Sequence, residues 1–261
     1  MEKEKKLREQ IERGRLKNQG RLPRPIKDYT SNPESVENID PMMIKIDSDF
    51  EKETYYNLML NTTSFPAEGK PTGYTIKYLV LNKFDNKYLG MIEITGNWTA
   101  YAVAASILGK KCKNIFNIRA VMPLQPFGFN FAGGKLLALL AVSDKVLKDW
   151  CAKYPTRPEI LYVVTISTGP SPNQYDSLKY FKAKGYTKKG HKRYWCELKN
   201  IPDRSYDKLI ELWRDRYGRK RSEKLIQTGN FKKEGHDQGD IFKTVPSQNE
   251  LNVGKWLKKP Q

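Results

Sequence analysis

Apolar positions concentrate between about Tyr74 and Leu198, and their spacing within that stretch predicts both strands and helices. Residues 74–81 and 88–95 are rich in β-branched and aromatic side chains, and a polar turn separates them. Two such runs joined by a short turn predict a β-hairpin. The alanine-rich segment 97–109 follows and predicts a helix that ends at a glycine.

A βαβ unit is predicted after this hairpin. Residues 115–122 and 160–166 are almost uninterrupted apolar runs, as in strands that are buried on both faces. Between them, residues 135–154 repeat apolar side chains at the helical period and predict one long helix. We therefore expect the two strands to be parallel and adjacent. Further on, residues 174–184 predict a short helix, and residues 186–198 predict a strand or hairpin.

Composition divides the chain into three predicted parts. Residues 1–71 hold a basic N-terminal helix, marginal by itself, and a proline-rich extended arm. Residues 72–200 form the core. Residues 201–261 combine an amphipathic helix, which we expect to stop at Gly218, with a polar basic tail. The predicted fold class is α/β (α+β), a mixed sheet with a glycine-rich strand-loop-helix unit and helical and disordered basic flanks.

The charge balance points to a polyanionic partner. The 261-residue chain carries a formal net charge of +18 and a pI near 9.6, so DNA or RNA is the first partner to expect and an anionic membrane the second. No apolar run approaches the roughly 20 residues that span a bilayer, and the first six residues are too charged for a secretory signal. We expect a cytoplasmic protein without a membrane partner, in a bacterial or phage-infected cell, and leave protein partners open.

Cysteine and histidine usage gives no metal signal. The three cysteines have no CxxC spacing, which favours neither a disulfide framework nor a zinc ribbon. The two histidines are far apart and lack a clustered carboxylate, so no metal site is expected.

A glycine-rich loop lies between the predicted strand 115–122 and the predicted helix 135–154. Glycines let the backbone approach an anion, and the free N–H groups at the start of a helix point at it. The loop is therefore a candidate phosphate or cofactor site, although a turn that lets the helix pack tightly on the sheet explains the glycines equally well. The candidate residues are Gln125, Gly128, Asn130, Gly133, Gly134 and Lys135.

Hydroxyl and amide groups follow the second strand of the βαβ unit. Ser167, Thr168, Asn173 and Tyr175 lie where open α/β sheets place their chemistry, at the carboxyl end of a strand. They are candidates for orienting a base or polarising a carbonyl. An ordinary turn rich in serine and proline is the alternative.

Basic residues alternate with aromatic ones in the region 179–195, and a second basic cluster lies in the region 214–221. Cations can hold phosphates while exposed aromatics stack on bases, which suits single-stranded or flipped-out targets. The alternative is a strand whose core aromatics alternate with solvated lysines. The candidate nucleic-acid contacts are Lys188, Lys189, His191, Lys192, Arg193, Arg216, Arg219 and Arg221.

The order of the predicted elements resembles the GNAT N-acetyltransferase fold, in which the loop before the long helix holds the pyrophosphate of acyl-CoA. Gln125 and Gly128 are similar to that family's loop motif but lie several residues ahead of the helix, and Asn173 with Tyr180 is similar to its later signature. The resemblance implies acetyl-CoA or another acyl-CoA as cofactor. It also implies Tyr180 or Tyr175 as the acid that protonates the leaving thiolate.

Short motifs between Tyr88 and Tyr194 resemble the family of the Druantia protein DruA and its viral relatives. They are Tyr88–Gly90, Pro126–Gly128, Gly133–Ala141, Thr165–Ser167, Gln174–Leu178 and Gly185–Lys188. The resemblance implies a role in phage biology or antiviral defence. The further likeness to acyltransferases, and to the phage Mom protein that modifies adenine in DNA, concerns the fold only.

Two functional hypotheses follow from these observations. The first is a phage- or defence-associated protein that acts on nucleic acid as a GNAT-like acyltransferase and modifies DNA. The second is a non-catalytic DNA-binding subunit that uses the same fold and grips a phosphate of the polynucleotide with the glycine-rich loop. The net charge does not separate them.

Overall fold

The structure is a computed structural model, and it describes residues 26–62, 73–96, 105, 114–156, 159–167, 173–187 and 190–233. Several predictions lie outside these residues. They are the N-terminal helix, most of the helix 97–109, the C-terminal tail beyond residue 233, and the site residues Thr168, Lys188 and Lys189.

A seven-stranded mixed sheet forms the centre of the fold, in the order β1-β2-β3-β4-β5-β7-β6. Its strands are β1 Pro41–Lys45, β2 Tyr74–Asn82, β3 Lys87–Gly96, β4 Ile115–Pro123, β5 Tyr162–Ser167, β6 Lys182–Tyr186 and β7 Lys192–Glu197. Neighbouring strands are antiparallel except β4 and β5, which run parallel. The predicted α/β class, the first hairpin and the adjacent parallel strands are thereby confirmed.

Helices cover both faces of the sheet. They are α1 Asp49–Thr62, α2 Phe127–Asn130, α3 Gly133–Leu140, α4 Asp144–Lys153, α5 Tyr206–Trp213 and α6 Arg219–Gln227, with short 3-10 turns at Ile26–Asp28, Val36–Asn38 and Leu198–Asn200. Successive residues of a strand point to opposite faces, so Leu79 of β2 packs with Tyr55 under α1, whereas Tyr78 and Val80 join the larger core beneath α3 and α4. Within the described residues, no helix is long and apolar enough to cross a bilayer.

The single long helix predicted over residues 135–154 is wrong, because the chain breaks between α3 and α4. The Ser143 hydroxyl donates to the Leu140 carbonyl oxygen at 2.7 Å, and the Ser143 amide donates to the same oxygen at 3.1 Å. The Asp144 amide, which would pair with Leu140 in a continuous helix, instead donates to the Arg204 carbonyl oxygen at 3.0 Å. A tertiary contact therefore replaces a helical hydrogen bond.

The short helix predicted over residues 174–184 is also wrong. Turns occupy residues 174–180, and the chain then enters β6. Ser177 and Tyr180 have φ angles of 59° and 76°, in the left-handed region that a right-handed helix excludes. The β6–β7 pair agrees with the hairpin alternative for residues 186–198, although its first strand begins earlier, at Lys182.

Gly218 does not stop the last helix, contrary to the prediction. A π-helical turn, Arg214–Gly218, joins α5 to α6 in one continuous helical segment. A Cβ at Gly218 would lie 2.9 Å from the Trp213 ring, so the glycine permits close packing inside the helix.

Parts of all three predicted segments meet in one core. β1 from the first segment pairs with β2 of the second, and Val36 and Trp213 belong to the same hydrophobic cluster. The Trp213 indole N–H donates to the Phe131 carbonyl oxygen at 3.2 Å. The division into three parts stays a prediction.

Candidate functional site

Two polar segments meet at one edge of the sheet. β4 and β5 are parallel, so their carboxyl ends lie at the same edge. The glycine-rich segment follows β4, and the turns at residues 173–180 follow β5. The carboxyl ends of β4 and β5 therefore bring the polar groups of both segments together.

Asp176 lies at the centre of a hydrogen-bonded network at this edge. Its Oδ1 accepts from the Lys192 ammonium and from the Tyr194 hydroxyl, the latter at 2.7 Å. Its Oδ2 accepts the Asn173 amide N–H at 3.0 Å, and the Asn173 side-chain Nδ2 donates to the Tyr194 hydroxyl at 2.8 Å. One carboxylate thus holds an ammonium, a phenol and a backbone turn in fixed positions.

The network sets the protonation of its members. The hydrogen bond to Asp176 raises the pKa of the Lys192 ammonium. Burial, and next the hydrogen bond to Asp176, raise the pKa of the Tyr194 phenol. Both groups therefore carry their protons at neutral pH, and the Tyr194 hydroxyl is a hydrogen-bond donor rather than a base.

Lys135 approaches the same turn from the start of α3. Its ammonium donates to the Gln174 carbonyl oxygen at 3.3 Å and to the Asp176 carbonyl oxygen, and it lies 5.3 Å from the centre of the Tyr217 ring. Burial lowers the pKa of Lys135, and the Asp176 charge partly opposes that shift. Its ammonium is therefore committed to the protein's own backbone.

The predicted catalytic residues occupy different environments. Ser167 ends β5 and pairs with Lys192 across the sheet, next to the Asp176 network, and Asn173 belongs to the network itself. Tyr175 is buried, and its ring centre lies 5.3 Å from that of Tyr194. Burial raises the pKa of the Tyr175 phenol. Tyr180 is partly buried and packs against the core, with the Lys179 ammonium 4.9 Å from its ring centre. The acid role given to Tyr175 or Tyr180 stays a prediction.

Sequence reasoning missed Asp176 and Tyr194 as network members. Both lay inside stretches that the sequence analysis singled out, Asp176 in the motif Gln174–Leu178 and Tyr194 in the basic and aromatic run. The available signal was a lone carboxylate between two buried residues, Tyr175 and Leu178, since a charge held so close to a core needs a partner.

The two central glycines of the glycine-rich segment pack against protein. A Cβ at Gly133 would lie 2.3 Å from the Phe127 ring, and one at Gly134 would lie 2.8 Å from the Gln174 side-chain oxygen. The positive φ of this segment, 53°, falls on Ala132 rather than on a glycine. The packing alternative therefore accounts for both glycines.

Other groups of this segment also have partners within the protein. Gln125 Oε1 accepts the Phe129 amide N–H at 2.8 Å, and a Cβ at Gly128 would lie 2.9 Å from Pro123. The Asn130 side chain pairs with the backbone of Lys232 through two hydrogen bonds of 2.7 and 3.0 Å. A pyrophosphate needs open glycine faces and free donors. In this conformation, side chains of the protein cover the faces of Gly128, Gly133 and Gly134 that a pyrophosphate of an acyl-CoA would approach.

The basic residues of the β6–β7 hairpin are exposed on β6 but have partners within the protein on β7. All five residues of β6 are exposed, including Lys182, Lys184 and Tyr186, whose exposed fraction is 61%. On β7, Lys192 is held by Asp176, and the Arg193 guanidinium donates to the Tyr186 carbonyl oxygen. The described part of the loop between the strands is tied by the His191 amide, which donates to the Thr187 hydroxyl at 3.1 Å.

The three arginines predicted as nucleic-acid contacts in the last helical segment also differ in their exposure and in their partners within the protein. Arg216 is exposed, whereas Arg219 pairs with Glu37 at 3.1 Å and with Asp215 at 3.3 Å. Arg221 donates from Nε to the Phe129 carbonyl oxygen at 3.1 Å.

The amino end of β5 carries charges of both signs. A cleft of about 350 Å³ lies there, and its lining includes the carboxylates of Asp144, Glu159 and Asp203 and the cations of Lys199 and Arg204. Arg204 pairs with Asp144 at 3.2 Å. Within the part of the chain that the structure describes, no group of three or more His, Cys, Asp or Glu side chains is placed to hold a metal ion.

Comparison with known proteins identifies one family model that matches the chain and two structures that are similar to it. The family model described as Druantia protein DruA matches residues 1–171. No curated protein matches the chain. A structure from Desulfovibrio desulfuricans described as a GNAT-family acetyltransferase is 11% identical with a TM-score of 0.33, over 61% of this chain and 99% of that one. A structure described as a streptothricin acetyltransferase from Bacillus anthracis, in complex with acetyl coenzyme A, is 13% identical with a TM-score of 0.32, over 61% of this chain and 98% of that one.

Proposed function

The chain belongs to the Druantia protein DruA family, and on that premise we propose that it binds nucleic acid, DNA in the first instance, in antiviral defence. The observation that carries the proposal is β6, an edge strand with every residue exposed. Lys182 and Lys184 on this strand are free to contact phosphates, and Tyr186 offers an exposed ring beside them.

The distribution of charge supports binding at this side of the molecule. The net charge of +18 attracts a polyanion over long range. In the cleft at the amino end of β5, Lys199 and Arg204 lie among three carboxylates, whereas the lysines of β6 are exposed on an edge strand. Phosphates are therefore attracted more strongly to β6 than to the cleft.

Fluorescence anisotropy with labelled DNA tests the proposal. We expect micromolar or tighter binding at low salt, which weakens by orders of magnitude between about 50 and 200 mM salt as phosphate counterions are released. The double variant Lys182→Glu/Lys184→Glu should weaken binding and lower the salt slope by about 2.

The matched control reverses two lysine charges near the amino end of β5 instead. Lys199 and Lys208 are exposed there, so Lys199→Glu/Lys208→Glu should bind DNA like the wild type apart from a small general effect of net charge. Absent or salt-insensitive binding by the wild type would contradict the proposal. Equal losses in both double variants would show that β6 is not the contact surface.

A second candidate function is acyl transfer to DNA, and the Asp176 network is the observation that favours it. The network holds two protonated groups, Lys192 and Tyr194, near the carboxyl end of β5, and both lie on β7, the strand that pairs with β6. The Tyr194 hydroxyl donates its one proton to Asp176, so it would act as an acid only when a reacting group displaces that hydrogen bond. An acyl-CoA would have to bind away from the faces of Gly133 and Gly134, since Phe127 and Gln174 cover them.

This candidate has its own experiment. The protein is incubated with radiolabelled acetyl-CoA and DNA, the DNA is digested to nucleosides, and wild type is compared with Tyr194→Phe, Tyr180→Phe and Tyr175→Phe. Loss of a positioned general acid should cost about 10²- to 10⁴-fold in rate. No CoA binding and no altered nucleoside in the wild type would leave nucleic-acid binding as the function.

A further inference from the structure

Phe129 is an aromatic ring that the hydrophobic core does not use. The phenylalanines on either side, Phe127 and Phe131, are fully buried, whereas 37% of Phe129 is exposed. It lies in α2, directly after the carboxyl end of β4. Its position is therefore at the same edge of the sheet as the Asp176 network.

The ring is held in a fixed place by its backbone and by Arg221. The Phe129 amide N–H donates to Gln125 Oε1, and its carbonyl oxygen accepts from Arg221 Nε at 3.1 Å. The guanidinium carbon of Arg221 lies 4.7 Å from the ring centre. A cation from α6 is thereby docked on the aromatic side chain.

A second cation reaches the ring from the segment after α6. The two hydrogen bonds between the Asn130 side chain and the Lys232 backbone fix that segment, and Phe231 packs edge-on against Phe131 at 5.6 Å. The Lys232 ammonium lies 5.9 Å from the Phe129 ring centre. Residues far apart in sequence thus bring two positive charges to one exposed ring.

We propose that Phe129, Arg221 and Lys232 form a stacking site for an unpaired nucleotide. A base stacks on the exposed part of the phenyl ring, and the guanidinium and ammonium groups bind the flanking phosphates. A base within a duplex has both faces covered by its neighbours, so the ligand is a nucleotide of a single strand. The inference rests on the proposed nucleic-acid binding and adds strandedness to it.

The stacking site is joined to the hairpin surface through Tyr217. Tyr217 lies one helical turn before Arg221, and its hydroxyl accepts the Lys179 amide N–H at 2.7 Å and donates to the Ser177 carbonyl oxygen at 3.2 Å. Lys179 leads into β6. These hydrogen bonds therefore link the helical segment that carries Arg221 to the turn that leads into β6.

Binding of labelled single-stranded DNA, single-stranded RNA and duplex DNA of one sequence tests the site. Phe129→Ala should weaken binding to the single strands by about 5- to 150-fold, the loss expected for one stacked base, without changing the salt slope, because no charge is removed. Duplex affinity should stay unchanged. Unequal effects on DNA and RNA would identify which polynucleotide the site takes.

Three further variants keep the test specific. Phe129→Trp, which retains a π-face, should bind single strands as well as the wild type, whereas Phe129→Leu, which keeps only apolar bulk, should behave like Phe129→Ala. Phe84, whose exposed fraction is 66%, lies in the β2–β3 turn, and Phe84→Ala should have no effect. Melting temperatures confirm that the variants are folded.

The outcomes separate this inference from the proposed function. Wild-type affinity in Phe129→Ala, or equal losses for single strands and duplex, would overturn the stacking site while nucleic-acid binding stands. Failure of the wild type to bind any of the three ligands at low salt would overturn both.

Discussion

Asp176 stabilises its turn because it balances charges that the fold brings together. The Asp176 side chain is 16% exposed and that of Lys192 is 26% exposed, so the pair is shielded from solvent more than an ordinary surface ion pair. The carboxylate also fixes Tyr194, whose hydroxyl donates to it and accepts from Asn173. Removing the charge therefore changes the protonation of its neighbours as well as their positions.

Asp176→Asn tests this electrostatic coupling. The variant should lower the pKa of Tyr194, because it removes a negative charge and a hydrogen bond that favour the neutral phenol. Burial, the larger cause, remains, so the pKa should stay above its ordinary value. NMR titration of Tyr194 gives the measurement, with Asp215→Asn as the control, since Asp215 pairs with Arg219. An unchanged pKa would show that Asp176 does not control the phenol.

The substitution Gly133→Ala tests whether the glycine is there for close packing or for binding an anion. Gly133 starts α3, and if the space beside it were open, Gly133→Ala should stabilise the protein by about 0.4–1 kcal/mol through the unfolded chain. The Phe127 ring fills that space. We therefore expect Gly133→Ala to destabilise the protein by about 1–3 kcal/mol, as overpacking does.

Urea denaturation measures this change, and a double-mutant cycle identifies its cause. Phe127→Leu should relieve part of the cost of Gly133→Ala, so the two free-energy changes should sum to more than that of the double variant. A neutral or stabilising Gly133→Ala would contradict the packing explanation.

At the scale of the elements, α3 and α4 show what a local pattern cannot encode. Apolar side chains recur at the helical period through residues 135–154, so the sequence predicts one helix. The break depends on the Asp144 amide and the Arg204 carbonyl, which are distant in sequence. By contrast, the first hairpin and the parallel β4–β5 pair are predictable, since residue type and spacing within each segment suffice for them.

The Asp176 network was predictable only in part for the same reason. Asn173 and Lys192 were predicted as separate site residues, but their common partner is defined by the turn after β5. That turn depends on the positive φ angles of Ser177 and Tyr180, neither of which is a glycine. The residue types therefore gave no signal for it.

Ser143→Ala tests the break between α3 and α4. The buried Ser143 hydroxyl donates to the Leu140 carbonyl oxygen, so its loss should lower the free energy of unfolding by about 1 kcal/mol. Thr228→Ala is the matched control, because Thr228 donates to the Lys224 carbonyl oxygen at 2.9 Å in an exposed position where water can replace it. Equal costs in urea denaturation would show that burial of the bond is unimportant.

For the whole molecule, the described fold separates charge by position. Lys182 and Lys184 lie on the exposed edge strand β6, while the carboxylates of Asp144, Glu159 and Asp203 line the cleft at the amino end of β5 together with Lys199 and Arg204. Within the described residues, folding therefore places two exposed lysines apart from those carboxylates, an arrangement that the composition alone does not give. The net charge of +18 repels itself, which affects how stability depends on pH.

Raising the pH above neutrality has two effects on the stability of the whole molecule, and they act in opposite directions. Burial raises the pKa of the phenols of Tyr55, Tyr78 and Tyr206, and it raises the pKa of the Cys196 thiol to about 12. These groups stabilise the fold fully below their unfolded pKa values, near 10 for tyrosine, and that stability is lost as pH rises further, because only the unfolded chain releases the protons. Deprotonation of lysines acts in the other direction, since it reduces repulsion.

We expect the buried phenols to dominate, because each one that stays protonated makes the free energy of unfolding fall by about 1.4 kcal/mol per pH unit. Urea denaturation at constant ionic strength should show little change up to about pH 9 and a steep fall above about pH 10. Tyr78→Phe should flatten that fall, although it lowers stability at neutral pH by removing the 2.9 Å hydrogen bond to Asp149. A rise in stability above pH 10 would mean that charge repulsion, rather than the buried tyrosines, governs the alkaline range.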